Sequence, residues 1–290
     1  MQICIKSLKS KKKIQGLYFA LLSISGSFFC FLLPLAVSLY YAFAGTAGPT
    51  LENFRAVLAS PAFRTAFGNT FLQLSLCLAL LLLLSLFAAL GLVYLKKCRD
   101  KLVFFLLAIL LLPMAVPSSV VAVFVQDVFG GSGIINGLRV QAHLAPVNFF
   151  GTDASFFLLV GIFLWRNIGL STLLFYARID AAPEDILDAA RLDSANAAQR
   201  TRYIVLPELG QAFLFVCVVG VWGVFSLSRE SRLLFGAYPA SAVYGLQNFL
   251  ANHFRSANYA ALSAASAIFL AAVSVLLLGA LALGKERDHA

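Results

Sequence analysis

The amino-acid sequence predicts an all-α integral membrane protein with six transmembrane helices and a polar helical loop between the fourth and the fifth. Of its 290 residues, 61% are hydrophobic and 12% are charged, and the mean hydropathy is +0.88. A hydrocarbon core about 30 Å thick needs roughly 20 apolar residues per helix, because backbone N–H and C=O groups must pair within their own segment. Six runs have this length: residues 16–44, 66–95, 102–129, 155–177, 207–227 and 259–284. We therefore expect a single transmembrane domain over residues 1–290, with its core at 53–284.

The segment 1–15 is a basic N-terminus that precedes the first span. A basic run followed by an apolar run is also the pattern of a signal peptide, and Ala42-Phe43-Ala44 has the small-x-small form of a cleavage site. The apolar run is about 25 residues long, however, whereas the apolar part of a signal peptide has about 7 to 15. An uncleaved first span is therefore expected.

The distribution of Lys and Arg sets the predicted orientation, because cytoplasmic flanks are enriched in both. Fifteen lie at the N-terminus, in the loops after spans two and four and in the C-terminal tail, against six on the other side. Both termini and the loop at 180–206 are therefore predicted to be cytoplasmic, in a multi-pass protein of the plasma or inner membrane. The formal net charge of +9 fits contact with anionic lipid and needs no nucleic acid.

The loop before span five is unusually polar for this chain. Pro183 followed by Glu184 and Asp185 predicts a helix start, since proline suits the first helical position and acids suit the positive end of the helix dipole. A short helix is expected from 183 to about 193. One face of it carries residues at i, i+3, i+4 and i+7 spacing, namely Ile186, Ala189, Ala190 and Asp193.

Turn residues follow this predicted helix. Ser194 and Asn196 are expected to form a turn or a cap, a second short helix follows, and Pro207 opens span five. From the residues alone, this helix–turn–helix is either a docking surface for another protein or an ordinary amphipathic connector.

The motifs of soluble enzymes are missing from the sequence. It contains no nucleotide-binding G-x-x-x-x-G-K-S/T, no zinc-binding H-E-x-x-H and no G-x-S-x-G. Its five cysteines and three histidines lack the spacing of a disulfide framework or a metal site. We therefore expect no catalytic, metal or cofactor site in this chain, so any uphill transport would draw on an ion gradient or on a partner.

The polar loop resembles the EAA loop in the membrane subunits of binding-protein-dependent ABC importers. The family pattern is Glu-Ala-Ala, three residues, Gly, nine residues, then Ile-x-Leu-Pro. Here Asp188-Ala189-Ala190, three residues, Ser194, nine residues and Ile204-Val205-Leu206-Pro207 keep this spacing. Asp188 replaces the family's Glu with a side chain one methylene shorter, which weakens a contact to the partner. Ser194 replaces its Gly, which predicts a turn without a left-handed backbone conformation.

The resemblance covers residues 53–276. Its further features are Asn53-Phe54, Phe63 and Asn69-Thr70 ahead of span two, Leu112-Pro113 and Pro117 in a proline-broken span three, the turn Gly133-Ile134-Ile135-Asn136, the triplet Trp165-Arg166-Asn167 in span four, and Tyr259-Ala260-Ala261-Leu262-Ser263 at the last span. Ala182-Pro183-Glu184 with Ala190-Arg191-Leu192-Asp193 is most similar to the carbohydrate branch of the family.

This resemblance implies a transporter subunit rather than an enzyme. A coupling helix at 184–193 would fit a groove on a separate ATPase that binds ATP, and the partners would be a second permease subunit in a heterodimer, an ABC ATPase dimer and an extracytoplasmic substrate-binding protein. The implied coupling residues are Glu184, Asp188, Ala189, Ala190, Asp193, Ser194, Ile204, Leu206 and Pro207. The implied solute is a sugar or a related polar molecule, with glycerol-phosphate or polyamine as alternative classes.

Candidate residues for the pathway are the polar side chains within the spans. Arg166 lies midway along span four and is the only Lys or Arg deep in a predicted span, so it is a functional candidate by default. Alternatively it is structural, paired with Asp127 or with backbone carbonyls freed by Pro113 and Pro117. The other candidates, which serve equally well as hydrogen-bonding links between helices, are Asn69, Gln73, Gln126 and Asn167.

Two other classes of protein compete with this hypothesis. A self-sufficient, ion-coupled secondary carrier would show an internal repeat with paired broken helices and acids in its spans, and only Asp127 lies near span depth. A membrane-embedded enzyme would need acids or histidines within reach of one another, and the sequence suggests no such set.

Overall fold

The computed structural model describes residues 21–45, 48–96, 98–181, 186, 190, 192–194 and 196–287. This part of the chain is mostly helical, with one two-stranded antiparallel hairpin in which Ala44 pairs with Pro49 and Gly45 with Gly48. The strands are β1 (Ala44–Gly45) and β2 (Gly48–Pro49). The helices are α1 (Leu21–Phe43, with a π-helical turn at Phe28–Leu32), α2 (Glu52–Ala59), α3 (Pro61–Lys96), α4 (Asp100–Ala115), α5 (Ser118–Phe129), α6 (Ile134–Gln141), α7 (Ala154–Asp180), α8 (Ala197–Arg200), α9 (Leu206–Glu208), α10 (Gly210–Ser226), α11 (Ser228–Phe235), α12 (Leu246–Arg255) and α13 (Tyr259–Arg287).

Five helical stretches within the described residues are long and apolar enough to cross a membrane. They are Leu21–Phe43, Pro61–Lys96, Ser118–Gln141, Ala154–Asp180 and Gly210–Phe235, and Tyr259–Val275 is a shorter apolar helix. These stretches support the prediction of a helical, multi-pass membrane protein. The fifth one begins at Gly210 and continues to Phe235, so it extends eight residues beyond the end predicted from hydropathy.

The third predicted span, 102–129, is divided into α4 and α5. Val116 has φ −73° and ψ 127°, and Pro117 has φ −60° and ψ 144°, so both are extended. A proline disfavours helical geometry in the residue before it, which explains the break at Val116. Pro113 is accommodated inside α4.

The chain separates into two compact units. The first contains the described residues up to Ser60 together with His253–Ala271. In this unit, the side-chain amide of Asn53 in α2 donates to the carbonyls of Ala42 (3.1 Å) and Ala44 (2.9 Å). These two hydrogen bonds attach α2 to the C-terminal end of α1. The ring of Tyr41 lies 6.0 Å from that of Tyr259, which links α1 to the start of α13.

The second unit contains Pro61–Asn252 and the residues from Ala272 onward. Helices α3 and α7 make its most extensive contact, and α4 and α10 pack against α7. The buried core includes Leu81 from α3, Phe163 and Phe175 from α7 and Val216 from α10. Each fully buried apolar side chain contributes about 1.5–3 kcal/mol in water, but between spans in lipid the contribution comes from packing.

Small residues allow the helices of this unit to approach closely. A Cβ atom at Gly169 of α7 would overlap the backbone carbonyl of Leu110 in α4, and one at Gly223 of α10 would lie 2.8 Å from Oδ1 of Asn167. Small residues at such crossings are common in membrane proteins, because backbone contact replaces the hydrophobic effect as the source of association.

The turn between α5 and α6 is held by Asn136, which is 1% exposed. Its amide donates to the carbonyls of Gly130 and Val147 (both 2.9 Å), and its Oδ1 accepts from the N–H of Val147 (2.8 Å). The expected turn Gly133-Ile134-Ile135-Asn136 is therefore corrected in part: the turn ends at Gly133, and Asn136 lies in the first turn of α6, from which it fastens the turn to the segment before α7.

Candidate functional site

An ion pair joins α7 and α11 within the second unit. Nη1 of Arg166 donates to Oε1 of Glu230. The side chain of Glu230 is 2% exposed and that of Arg166 is 21% exposed. Desolvation of each ion costs several kcal/mol, and Oε2 of Glu230 has no hydrogen-bond partner within the described residues, so Arg166 supplies the main compensation for the buried carboxylate.

Arg166 also bridges the proline break between α4 and α5. Its Nη2 donates to the carbonyl of Val116 (3.1 Å) and its Nη1 to the hydroxyl of Ser118 (3.2 Å). The N–H of Val120 donates to Pro117, so it does not pair with the Val116 carbonyl as it would in a continuous helix. One guanidinium therefore joins three elements: the break, α7 and α11.

These contacts identify the partners of Arg166. The expected pairing with a carbonyl freed near Pro113 and Pro117 is confirmed at Val116. The carboxylate partner is Glu230 rather than Asp127, which lies exposed in α5. Glu230 was missed because it lies three residues beyond the predicted end of span five, in a polar run, Ser228–Ser231, that suggested an external loop. The apolar Leu233-Leu234-Phe235 that follows was the available signal that the helix continues.

The candidate Asn69 and its neighbour Thr70 hold a loop against one end of α3. The amide of Asn69 donates to the carbonyls of Ser241 (2.5 Å) and Tyr244 (3.1 Å), and the hydroxyl of Thr70 accepts from the N–H of Leu246 (2.8 Å). Desolvation raises the pKa of the Tyr244 phenol in this loop. Asn69 thus donates its side-chain N–H groups to two carbonyls of this loop.

The remaining pathway candidates have separate surroundings. Asn167 donates to the carbonyl of Phe163 one turn earlier in α7 (2.8 Å), and Gln126 is exposed. Nε2 of Gln73 is buried and has no hydrogen-bond partner within the described part of the chain. The five predicted residues thus do not share one network of contacts, and their role in transport stays a prediction.

The predicted coupling loop is described only in part. Glu184, Asp188 and Ala189 lie outside the described residues. Asp193 and Ser194 are exposed, and the expected cap is confirmed at Asn196, whose Oδ1 accepts from the N–H of Gln199 while Oε1 of Gln199 accepts from the N–H of Asn196 (both 2.8 Å). This reciprocal pair starts α8, the second short helix of the prediction.

Ser194 corrects one expectation. Its φ is +60°, so the turn does use a left-handed backbone conformation, although the Ser was expected to avoid it. The turn at Asp193 and Ser194, ahead of α8, has this geometry, which glycine adopts freely and a residue with a Cβ atom adopts at a cost of roughly 1–2 kcal/mol.

The C-terminal end of the loop packs into the hydrophobic core of the second unit. A π-helical turn, Thr201–Val205, leads into α9, where Pro207 occupies the start of a three-residue helix ahead of α10. Ile204 is partly buried and Leu206 is 38% exposed, while the neighbouring Val205 and Leu209 are buried. Where the loop leaves α7, Nζ of Lys96 lies 2.6 Å from Oδ1 of Asp180 and ties the end of α3 to the end of α7.

Comparison with known proteins gives sequence relatives of one kind. No protein-family model matches the chain. It is 27% identical over 191 residues to the arabinooligosaccharides transport system permease protein AraP of Bacillus subtilis (strain 168), covering 63% of this chain and 58% of that protein. It is 29% identical over 161 residues to the trehalose/maltose transport system permease protein MalF of Thermococcus litoralis, covering 55% of each. The chain thus spans less than two thirds of the length of these relatives.

A solved structure is similar over nearly the whole chain. It comes from a bacterial ABC transporter involved in the import of the acidic polysaccharide alginate, with a TM-score of 0.79, 20% identity and coverage of 97% of this chain and 99% of that one. A structure of the bacterial alginate ABC transporter in complex with alginate pentasaccharide-bound periplasmic protein matches with a TM-score of 0.75, 20% identity and coverage of 94% of each chain. At this identity the likeness shows a shared fold. The chain is therefore a multi-pass membrane protein that shares its fold with a chain of this ABC transporter, and its sequence relatives are permeases of sugar transport systems.

Proposed function

We propose that this chain is the permease subunit of an ABC importer, that it forms part of the pathway for a sugar or related polar solute, and that it is coupled to a separate ATPase through the loop at 180–206. The observation that carries the proposal is the spacing from Asp188 to Pro207, found in a chain whose relatives are permeases of sugar transport systems. The proposal assigns no enzymatic activity to this chain, and the partner ATPase binds the ATP.

The proposed assembly contains a second permease subunit in a heterodimer, two ATPase subunits and an external substrate-binding protein. The periplasmic protein bound to the alginate transporter supports the last of these partners. On the ATPase side, the small residues Ala189 and Ala190 would allow the partner to approach the backbone of the coupling helix, with Asp188 beside them. Closure of the ATPase dimer would then move the spans and expose the pathway to each side in turn.

The proposed topology has six spans and both termini in the cytoplasm, with α13 as the last span. The division of Lys and Arg, fifteen against six, supports it. Reporters fused after Lys97, Arg202 and Lys285 should read cytoplasmic, and those near Gly48, Asn148 and Asn248 should read external. An external reading at Arg202 would contradict both the topology and the docking of the loop to an ATPase.

One observation favours the alternative of an ion-coupled secondary carrier. Glu230 is a buried acid in a stretch long enough to cross a membrane, and such acids serve ion and proton pathways in carriers. Its direct pairing with Arg166, however, gives the acid a structural partner.

Purification in mild detergent separates the two functions. Under the importer proposal, an affinity-tagged chain retains an ATPase and a second six-span subunit, and solute uptake into vesicles requires ATP. A chain that purifies alone and transports on a proton or sodium gradient without ATP would establish the carrier instead. The matched control is the variant Asp188→Lys, which should insert normally but retain less ATPase.

A further inference from the structure

A partly open cavity of about 30 Å³ lies in the second unit. It is lined by residues from α3, α7, α10, α11 and α12, including Gln73, Ser231, Gln247 and Asn248. Ser231 follows Glu230 directly in α11, so the same helix faces both sites.

Four buried polar atoms around this cavity have no hydrogen-bond partner within the described part of the chain. They are Nε2 of Gln73, Oγ of Ser231, Oε1 of Gln247 and Nδ2 of Asn248. Both Ser231 and Asn248 are 5% exposed. Buried polar groups in folded proteins are nearly always paired, because an unpaired one destabilises the fold, so four of them around one cavity point to a ligand that pairs with them.

The chemistry of the four atoms defines that ligand. Gln73 and Asn248 present donors, Gln247 presents an acceptor, and the hydroxyl of Ser231 can do either. None of the described residues that line the cavity is charged, so nothing there compensates a phosphate or an ammonium group. A hydroxyl oxygen both accepts and donates, which matches this mixed set. A water molecule needs about 10–15 Å³, so the volume admits one or two oxygen atoms.

We propose that this cavity binds a hydroxylic ligand, which accepts from the amides of Gln73 and Asn248 and donates to Oε1 of Gln247 or to the hydroxyl of Ser231. The two sources of this chemistry are one or two ordered water molecules and a single hydroxyl of an uncharged solute. The water source stands without the proposed transport function, whereas the solute source rests on it. In either case the ligand links α3 to α11 and α12, next to the loop that Asn69 and Thr70 hold.

The direct test is a density map of the purified chain, alone or in its complex, at a resolution that shows ordered water, with and without trehalose as the uncharged probe. Density within hydrogen-bonding distance of at least two of the four atoms in both maps identifies water. Density that appears only with trehalose and continues into the sugar ring identifies a solute hydroxyl. A cavity without density in either map overturns the proposal, and it does so even if an ATPase co-purifies.

A stability test gives an independent result. Under the proposal, Ser231→Ala and Gln73→Leu each remove a group that pairs with the ligand, so both should lower Tm. If the cavity is dry, these replacements remove unpaired polar atoms and should leave Tm unchanged or raise it, which contradicts the proposal. Gln211→Leu is the matched control, because Gln211 is exposed on α10 and its replacement should change Tm little.

Discussion

Replacing Arg166 with Met tests how the second unit is held together. The variant leaves the carboxylate of Glu230, 2% exposed, without its cation and removes the donors to Val116 and Ser118. Breaking one member of a buried ion pair costs about 3–5 kcal/mol, and the orphaned carbonyl of Val116 adds about 1–3 kcal/mol. Together these costs come to about 4–8 kcal/mol, and 1 kcal/mol shifts Tm by roughly 2–4 °C in large domains, so a loss of at least about 8 °C is expected.

The double variant Arg166→Met with Glu230→Leu separates charge from packing. It removes both ions and keeps similar apolar volume, so most of the lost stability should return, since replacing a whole buried pair is often neutral. Arg232→Met is the matched control. It removes an exposed arginine from the same helix as Glu230, and we expect a change within about 0.5 kcal/mol.

The assay combines the amount of complex in membranes, Tm in detergent and solute-stimulated ATP hydrolysis. If Arg166 is structural, the single variant lowers complex level and Tm, and the double variant restores both together with hydrolysis. If Arg166 also lines the pathway, the double variant restores the amount of complex in membranes while solute uptake stays low. A single variant as stable as the unmodified chain would refute the reasoning, because the buried carboxylate would then need no partner.

Five further variants test the loops. Asp188→Lys and Ala189→Trp should each reduce the ATPase retained per permease and raise the ATP hydrolysed per solute moved. Asp188→Glu should leave both quantities unchanged, or raise the retention and lower the ATP hydrolysed per solute. Unchanged retention in the first two variants would show that the loop is only a connector. Ser194→Gly should stabilise the turn by up to about 1 kcal/mol, because glycine accepts its φ of +60° without a Cβ clash, and lower Tm would contradict this. Asn69→Leu removes the donor to the carbonyls of Ser241 and Tyr244, so faster proteolysis in the 236–245 loop is expected, and unchanged cleavage would show that the loop is held otherwise.

Local sequence was sufficient for the class of fold. A helix in hydrocarbon pairs each backbone N–H and C=O within its own segment, so apolar length alone predicts where spans lie. The break at Val116 follows from Pro117, since proline acts on its immediate neighbour. The cap between Asn196 and Gln199 is likewise local, because its partners are three residues apart. The loop spacing from Asp188 to Pro207 is also local, and the resemblance to the EAA loop rests on this spacing without any tertiary contact.

Contacts between distant segments required the tertiary structure. Arg166 meets Ser118 across 48 residues and Glu230 across 64, and no sequence pattern selects Glu230 over Asp127. The choice depends on how far span five extends and on the rotation of α11, which places Glu230 inward. Ser194 shows the same limit at a turn. A serine at this position predicted an ordinary backbone, but the turn ahead of α8 has a positive φ at Ser194. Periodicity and turn chemistry act over a few residues, whereas side-chain pairing depends on helix rotation and crossing, which are properties of the packed helices together.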